Sequence, residues 1–183
     1  GSNGYSNYRH QSDVCHAYKI LTSHGMDPNK IIVMAYNDIA NNSKNPIKGK
    51  MYNKPNGNDV YSGCRIDYSG GQVTPANFMK VLTGEASGKS LKSDSNSNVF
   101  IFYSDHGSSG LIAMPAGGYL YADDLKRTLT TMKSKNMFKK LVFYLEACYS
   151  GSMFNKFTDL ASKGIYAVTA ASASQSSYAK YCG

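Results

Sequence analysis

Four short apolar runs most constrain what this chain can fold into: Ile31 to Tyr36, Val99 to Tyr103, Leu141 to Leu145, and Ile165 to Thr169. Each is continuous rather than alternating and rich in β-branched or aromatic residues, the pattern of strands covered on both faces. Helical patterns lie between them. Val14, Ala17, Tyr18 and Leu21 share one helical face, with Gly25 as a C-terminal stop and Pro28 just beyond. Thr74-Pro75 reads as an N-cap followed by proline at the first helical position; Phe78, Val81 and Leu82 form the buried face, and Gly84 ends the helix. Leu125, Leu129 and Met132 mark a third helix, and Ser152 to Asp159 a short fourth. This alternation predicts an α/β fold with a mostly parallel sheet between helical layers, as a single domain over residues 1–183. Two polar stretches, Asn37 to Gly71 and Ser87 to Asn98, are expected as long loops, of the kind that carry function or move.

Composition narrows the function classes. Apolar residues are 42% and charged residues 17% of the chain, which suits a packed core and argues against disorder. The net charge of +8 is compatible with an anionic partner. The lysines are scattered, however (Lys44, Lys48, Lys50 and Lys54, then Lys133, Lys135, Lys139 and Lys140), with no nucleic-acid motif beside them. A solvated basic surface is expected, not a nucleic-acid site. No apolar run approaches the ~18 residues of a membrane span, so no membrane segment is expected. Gly1-Ser2-Asn3-Gly4 is not a signal peptide. Asn41-Asn42-Ser43 matches the N-glycosylation sequon. The cysteines are Cys15, Cys64, Cys148 and Cys182, with no CxxC among them. Neither a disulfide framework nor a zinc cluster is expected, and Cys15 reads as a small buried hydrophobe on its helix.

In parallel α/β sheets, ligands collect at the carboxyl ends of the strands. Val99 to Tyr103 runs into Ser104-Asp105-His106-Gly107, and Leu141 to Leu145 runs into Glu146-Ala147-Cys148. A histidine and a cysteine therefore leave two strands on one rim. That pair suits thiol catalysis, in which the thiolate attacks and an imidazole stabilises it or protonates the leaving amine. Gly107 adds a small residue whose backbone N–H can approach a developing oxyanion. A metal site would need more ligands than Asp105 and Glu146 provide nearby, so no metal and no cofactor is expected.

Tyr103-Ser-Asp-His-Gly-Ser108 and Leu145-Glu-Ala-Cys148 resemble the two catalytic motifs of the legumains, or asparaginyl endopeptidases. The opening Gly1 to Gln11 is similar to that family's first active-site loop, and Asn45-Pro46, Pro55-Asn56-Gly57 and Asp59-Val60-Tyr61 to its polar loop. The resemblance implies a caspase-like three-layer α/β/α sandwich and a cysteine endopeptidase that cuts protein or peptide substrates after Asn, more weakly after Asp; some members also join peptides. It makes Cys148 the nucleophile, His106 the general acid/base and Asn7 the residue that orients it, with the N–H groups of Gly107 and Cys148 as oxyanion hole. It places Arg9, His10 and Glu146 in the primary specificity pocket, with Ser176 and Ser177 beside it. Chemically, Arg9 would donate to the substrate amide C=O and Glu146 accept from its NH2. Asp105 stands where the family has an aspartate able to form a succinimide; its plainer reading is a hydrogen-bonding loop residue.

Tyr149 departs from the family, which usually has Glu there. The family also has a central strand ahead of the position of Gly1, and continues past Gly183 with an acidic pocket residue and a C-terminal pro-domain. The sequence is thus expected to be part of a longer chain, lysosomal or vacuolar by resemblance, or secreted. A GPI-anchor transamidase-like enzyme and an inactive binding homologue are the alternatives.

Overall fold

The computed structural model describes residues 1–181; Cys182 lies outside the described residues. In chain order the elements are α1 (Tyr8–Ser23), α2 (Pro75–Leu82), β1 (Asn98–Ser104), β2 (Gly107–Ser108), β3 (Leu111–Ala113), β4 (Tyr119–Tyr121), α3 (Ala122–Ser134), β5 (Lys140–Glu146) and β6 (Ile165–Thr169). The expected α/β class holds: β1, β5 and β6 form a parallel sheet in the order β1-β5-β6. Thr74 caps α2 by accepting from the Asn77 N–H, with Pro75 at the first helical position, as its sequence predicts.

The main core lies on one sheet face. Leu141, Phe143 and Leu145 of β5 are fully buried against Leu125, Leu129 and Met132 of α3, with Val99, Ile101 and Tyr103 of β1 joining them. Withdrawing each such side chain from water contributes about 1.5–3 kcal/mol. The other face alternates with it and is partly open: Phe100, Tyr144, Tyr166 and Val168 are between 38% and 66% exposed. Helix α1 packs on β1 and carries its own small clusters, Cys15 with Ile39 and Met51, and Tyr18 with Val33 and Ala35.

Three expectations need correction. Ile31 to Tyr36 is extended but no member of the ladder: it makes one parallel bridge, Met34 to Tyr68, and Val33 takes its bonds from Asp67 and Tyr68. A cavity of about 640 Å³ separates it from β1, lined by Ile31–Met34 on one side and Val99–Ser104 on the other. The predicted fourth helix is a short 3-10 turn, Ser150–Phe154. Cys15 is buried on α1 as expected, yet it is disulfide-bonded to Cys64, 49 positions away. A count of cysteines judges a multi-bridge framework and is silent on a single pair. Packing of the polar loop on α1 brings the two Cα atoms to 5.5 Å, within bonding range. That loop is ordered: Asp59 accepts from the N–H groups of Met51 and Tyr61, and the Asn45 side chain donates to the carbonyls of Ala40 and Lys50.

A second, antiparallel sheet, β2-β3-β4, was not legible as strands. Its strands have two or three residues, too short to show a period.

Candidate active site

The β1–β5 register pairs Ser104 with Glu146, and the Asp105 N–H donates to the Glu146 carbonyl at 3.1 Å. His106 and Cys148 therefore each stand two residues past a paired position, on adjacent strand ends. Gly107 shows how close the two exits run: a Cβ there would fall 2.5 Å from the Cys148 carbonyl oxygen and 3.0 Å from the Ala147 Cβ. Any side chain at 107 would push the cysteine's own backbone away.

The hairpin clamps the histidine. The Ala113 N–H of β3 donates to the His106 carbonyl at 2.9 Å, and the Tyr103 hydroxyl donates to the Ala113 carbonyl. On the ring, Asn7 Oδ1 accepts from Nε2–H at 2.8 Å, which leaves Nδ1 as the unprotonated nitrogen of the neutral imidazole. Asn7 occupies the N-cap position of α1 but makes no side-chain cap; its Nδ2 donates instead to the Asn3 carbonyl. An N-cap hydrogen bond is ordinarily worth about 1 kcal/mol to a helix, and here the side chain is committed to His106. Cys148 is free and half-buried, and its Sγ–H donates to the Ser177 carbonyl at 3.6 Å. Tyr149 has φ 54° and donates its N–H to the Gln175 carbonyl at 2.7 Å. The segment after β6 is thus tied to Cys148 and Tyr149. Ser177 faces the thiol, while Ser176 is exposed beside it.

The charged residues gather below this pair. His10 is buried on α1, edge-to-face with His106 at 4.8 Å between centroids. Burial, with Arg9 and His106 adding like charge, pushes His10 down to about 3, so it is a neutral ring. Asp105 is also buried: Oδ1 accepts from the His106 N–H at 2.7 Å. Loss of solvent pushes its carboxyl up.

Asp13 was missed by sequence reasoning. It lies one helical turn after Arg9 and accepts from Asn53 Nδ2 at 2.6 Å and Ser104 Oγ at 3.0 Å. It joins α1, the polar loop and β1 at one point, and its i,i+4 spacing from Arg9 was the available signal. Burial raises its carboxyl; loss of solvent and then the Asp13 charge raise Glu146. Asp13 thus lies within electrostatic reach of both Arg9, whose guanidinium donates to the Ser6 carbonyl, and Glu146.

A thiol and an oriented imidazole on the carboxyl rim of a parallel sheet make up the layout of a thiol-dependent acyl-transfer centre. The chain belongs to the peptidase C13 family, whose model matches residues 1–183. It is 48% identical over 188 residues to legumain of Mus musculus, covering 99% of this chain and 42% of that protein. It is 48% identical over 190 residues to a vacuolar-processing enzyme of Vicia sativa, covering 100% of this chain and 38% of the relative. To hemoglobinase of Schistosoma mansoni it is 50% identical over 185 residues, covering 100% and 43%. The chain therefore spans about two fifths of the length of these curated relatives.

Proposed function

We propose that this chain carries the catalytic centre of a cysteine endopeptidase that cuts after asparagine. The observation that carries the reading is the β1–β5 register, which sets His106 and Cys148 at equal offsets beyond paired residues, with His106 held by Asn7. The Cys148 thiolate attacks the scissile carbonyl carbon. Charge on its oxygen meets the N–H groups of Gly107 and Cys148. The C–N bond then breaks as protonated His106 gives its proton to the leaving amine. Water attacks the resulting thioester, His106 takes its proton, and the thiol is restored. An amine in place of that water would give peptide ligation by the same route.

Arg9 and Glu146 supply the donor and acceptor that a substrate Asn side chain lacks once out of water, with His10, Ser176 and Ser177 as neighbouring walls. An unpaired polar group in such a pocket costs about 1–3 kcal/mol. The setting proposed is a vacuole, the word one relative's name carries, or a lysosome, and a pro-domain in polypeptide outside residues 1–183 is proposed to complete the enzyme.

The test is kcat/KM on matched Asn and Asp peptides from about pH 4 to about pH 7, in wild type, Cys148→Ala, His106→Ala and Glu146→Gln. Cys148→Ala leaves only background, and His106→Ala loses several orders of magnitude. Asp cleavage gains on Asn cleavage as pH falls. The substrate carboxylate (reference pKa ~3.9) meets Glu146 when both are ionised, and protonation removes the repulsion. Glu146→Gln narrows the Asn/Asp gap. Activity of Cys148→Ala within tenfold of wild type overturns the nucleophile; an Asn/Asp ratio flat with pH overturns the pocket.

A further inference from the structure

We propose that His10, Asp105 and His106 form a Zn²⁺ site whose occupation shuts off the catalytic centre. One ligand atom from each residue lies within 4.8 Å of the others. His10 Nδ1 is 3.7 Å from Asp105 Oδ1. The second observation is Asp105 itself. Its side chain is 1% exposed, and among the described residues its Oδ2 is the buried side-chain polar atom with no hydrogen-bond partner. Such an atom calls for a donor or a cation.

His106 is prepared in the manner of a metal ligand. A ligating imidazole typically has its other ring nitrogen held by a neighbour, which fixes ring orientation. Here Ser2 Oγ engages His10 Nδ1, and Asn7 Oδ1 holds His106 Nε2–H. That leaves His106 Nδ1 for a metal; on His10 the nitrogen that faces Asp105 is Nδ1 itself, so a metal there takes the place of the Ser2 hydroxyl. Two imidazoles and a carboxylate suit Zn²⁺, whose bonds of ~2.0–2.2 Å place tetrahedral donors about 3.4 Å apart. The widest pair must close by about 1.4 Å, the scale of a side-chain torsion. His106 is exposed, so the site is open to solvent. Arg9, next to His10 in sequence, opposes a cation and keeps the site weaker than a structural zinc centre. A metal on His106 Nδ1 takes the lone pair the thiol needs, so binding is inhibition, reversed when the metal leaves.

The experiment is calorimetric titration of Zn²⁺ into the Cys148→Ser protein, which needs no enzymatic activity, paired with Zn²⁺ inhibition and EDTA reversal in wild type. One saturable Zn²⁺ site is expected in Cys148→Ser, with no matching heat from Mg²⁺, which prefers all-oxygen shells. Asp105→Asn and His10→Gln, each built into Cys148→Ser, weaken it at least about tenfold. Circular dichroism checks each variant, and His10→Gln decides if Asp105→Asn does not fold. Loss of binding in Cys148→Ser would reassign the metal to the thiolate. Unchanged affinity in the folded variants, or no saturable binding at all, overturns the proposal.

Discussion

Residue 107 shows how tightly this centre is specified. No Cβ fits between Gly107 and the Cys148 carbonyl, so the two strand exits approach as closely as backbone allows. Gly107→Ala is expected to lower stability by about 1–3 kcal/mol and kcat by roughly 100-fold or more, since displacement of the Cys148 backbone also moves an oxyanion donor. Thermal melting and kcat/KM on an Asn peptide check both; a variant that melts and turns over like wild type contradicts this account of the contact. Single residues at the site were unevenly legible. His106, Cys148 and Gly107 could be read from their place after apolar runs, because strand ends are where α/β sheets collect ligands. Asn7, Arg9 and His10 could not, since a polar first turn of a helix looks like any solvated one; the family resemblance supplied them. Asp13 escaped both. Its partners, Asn53 and Ser104, are 40 and 91 positions away, a juxtaposition that only the packed chain creates.

At the level of elements, long regular pieces announced themselves and short ones did not. β1, β5, β6, α2 and α3 fall where periodicity and caps put them, because each pairs a strong local pattern with a buried face. The β2-β3-β4 hairpin is held by tertiary bonds instead: Ala122 N–H to the Gly110 carbonyl, and Gly110 N–H to Ser152 Oγ at 2.8 Å. The Ile31 to Tyr36 stretch has the composition of a strand but faces a cavity where a ladder partner would lie. Between α1 and the polar loop, the Cys15–Cys64 bond closes a long loop. Chain-entropy reasoning gives about 4 kcal/mol for a loop of that length, and native bonds typically contribute about 2–5. The double variant Cys15→Ala/Cys64→Ala is expected to lose that much in urea unfolding. Its KM should rise more than its kcat falls, because the loop reaches the proposed pocket through Asn53 and Asp13, not through Cys148. A variant as stable as wild type would sink the claim.

On the scale of the whole molecule, the sheet is open on two counts: β1 borders a cleft, and the face bearing Tyr144 and Tyr166 is only partly covered. Parallel sheets are ordinarily covered on both faces. We infer that polypeptide outside residues 1–183 supplies an extended segment for the cleft and a layer for the face. Residues 1–183 expressed alone should then bind the dye ANS, associate, and melt without a sharp transition, whereas the longer protein should not. A dye-silent monomer with one cooperative transition would refute this. Within the part described, the turn at Tyr149 joins two jobs in one piece of chain. Its N–H rests on the Gln175 carbonyl, and the thiol before it rests on Ser177. The segment proposed to wall the pocket is therefore also the splint on which the proposed nucleophile is set. A graft of residues 170–177 from another peptidase would shift the reacting sulfur even if every pocket side chain matched. In such a chain, selectivity and turnover are inherited together, and a protein engineer could not exchange one as a cassette while leaving the other untouched.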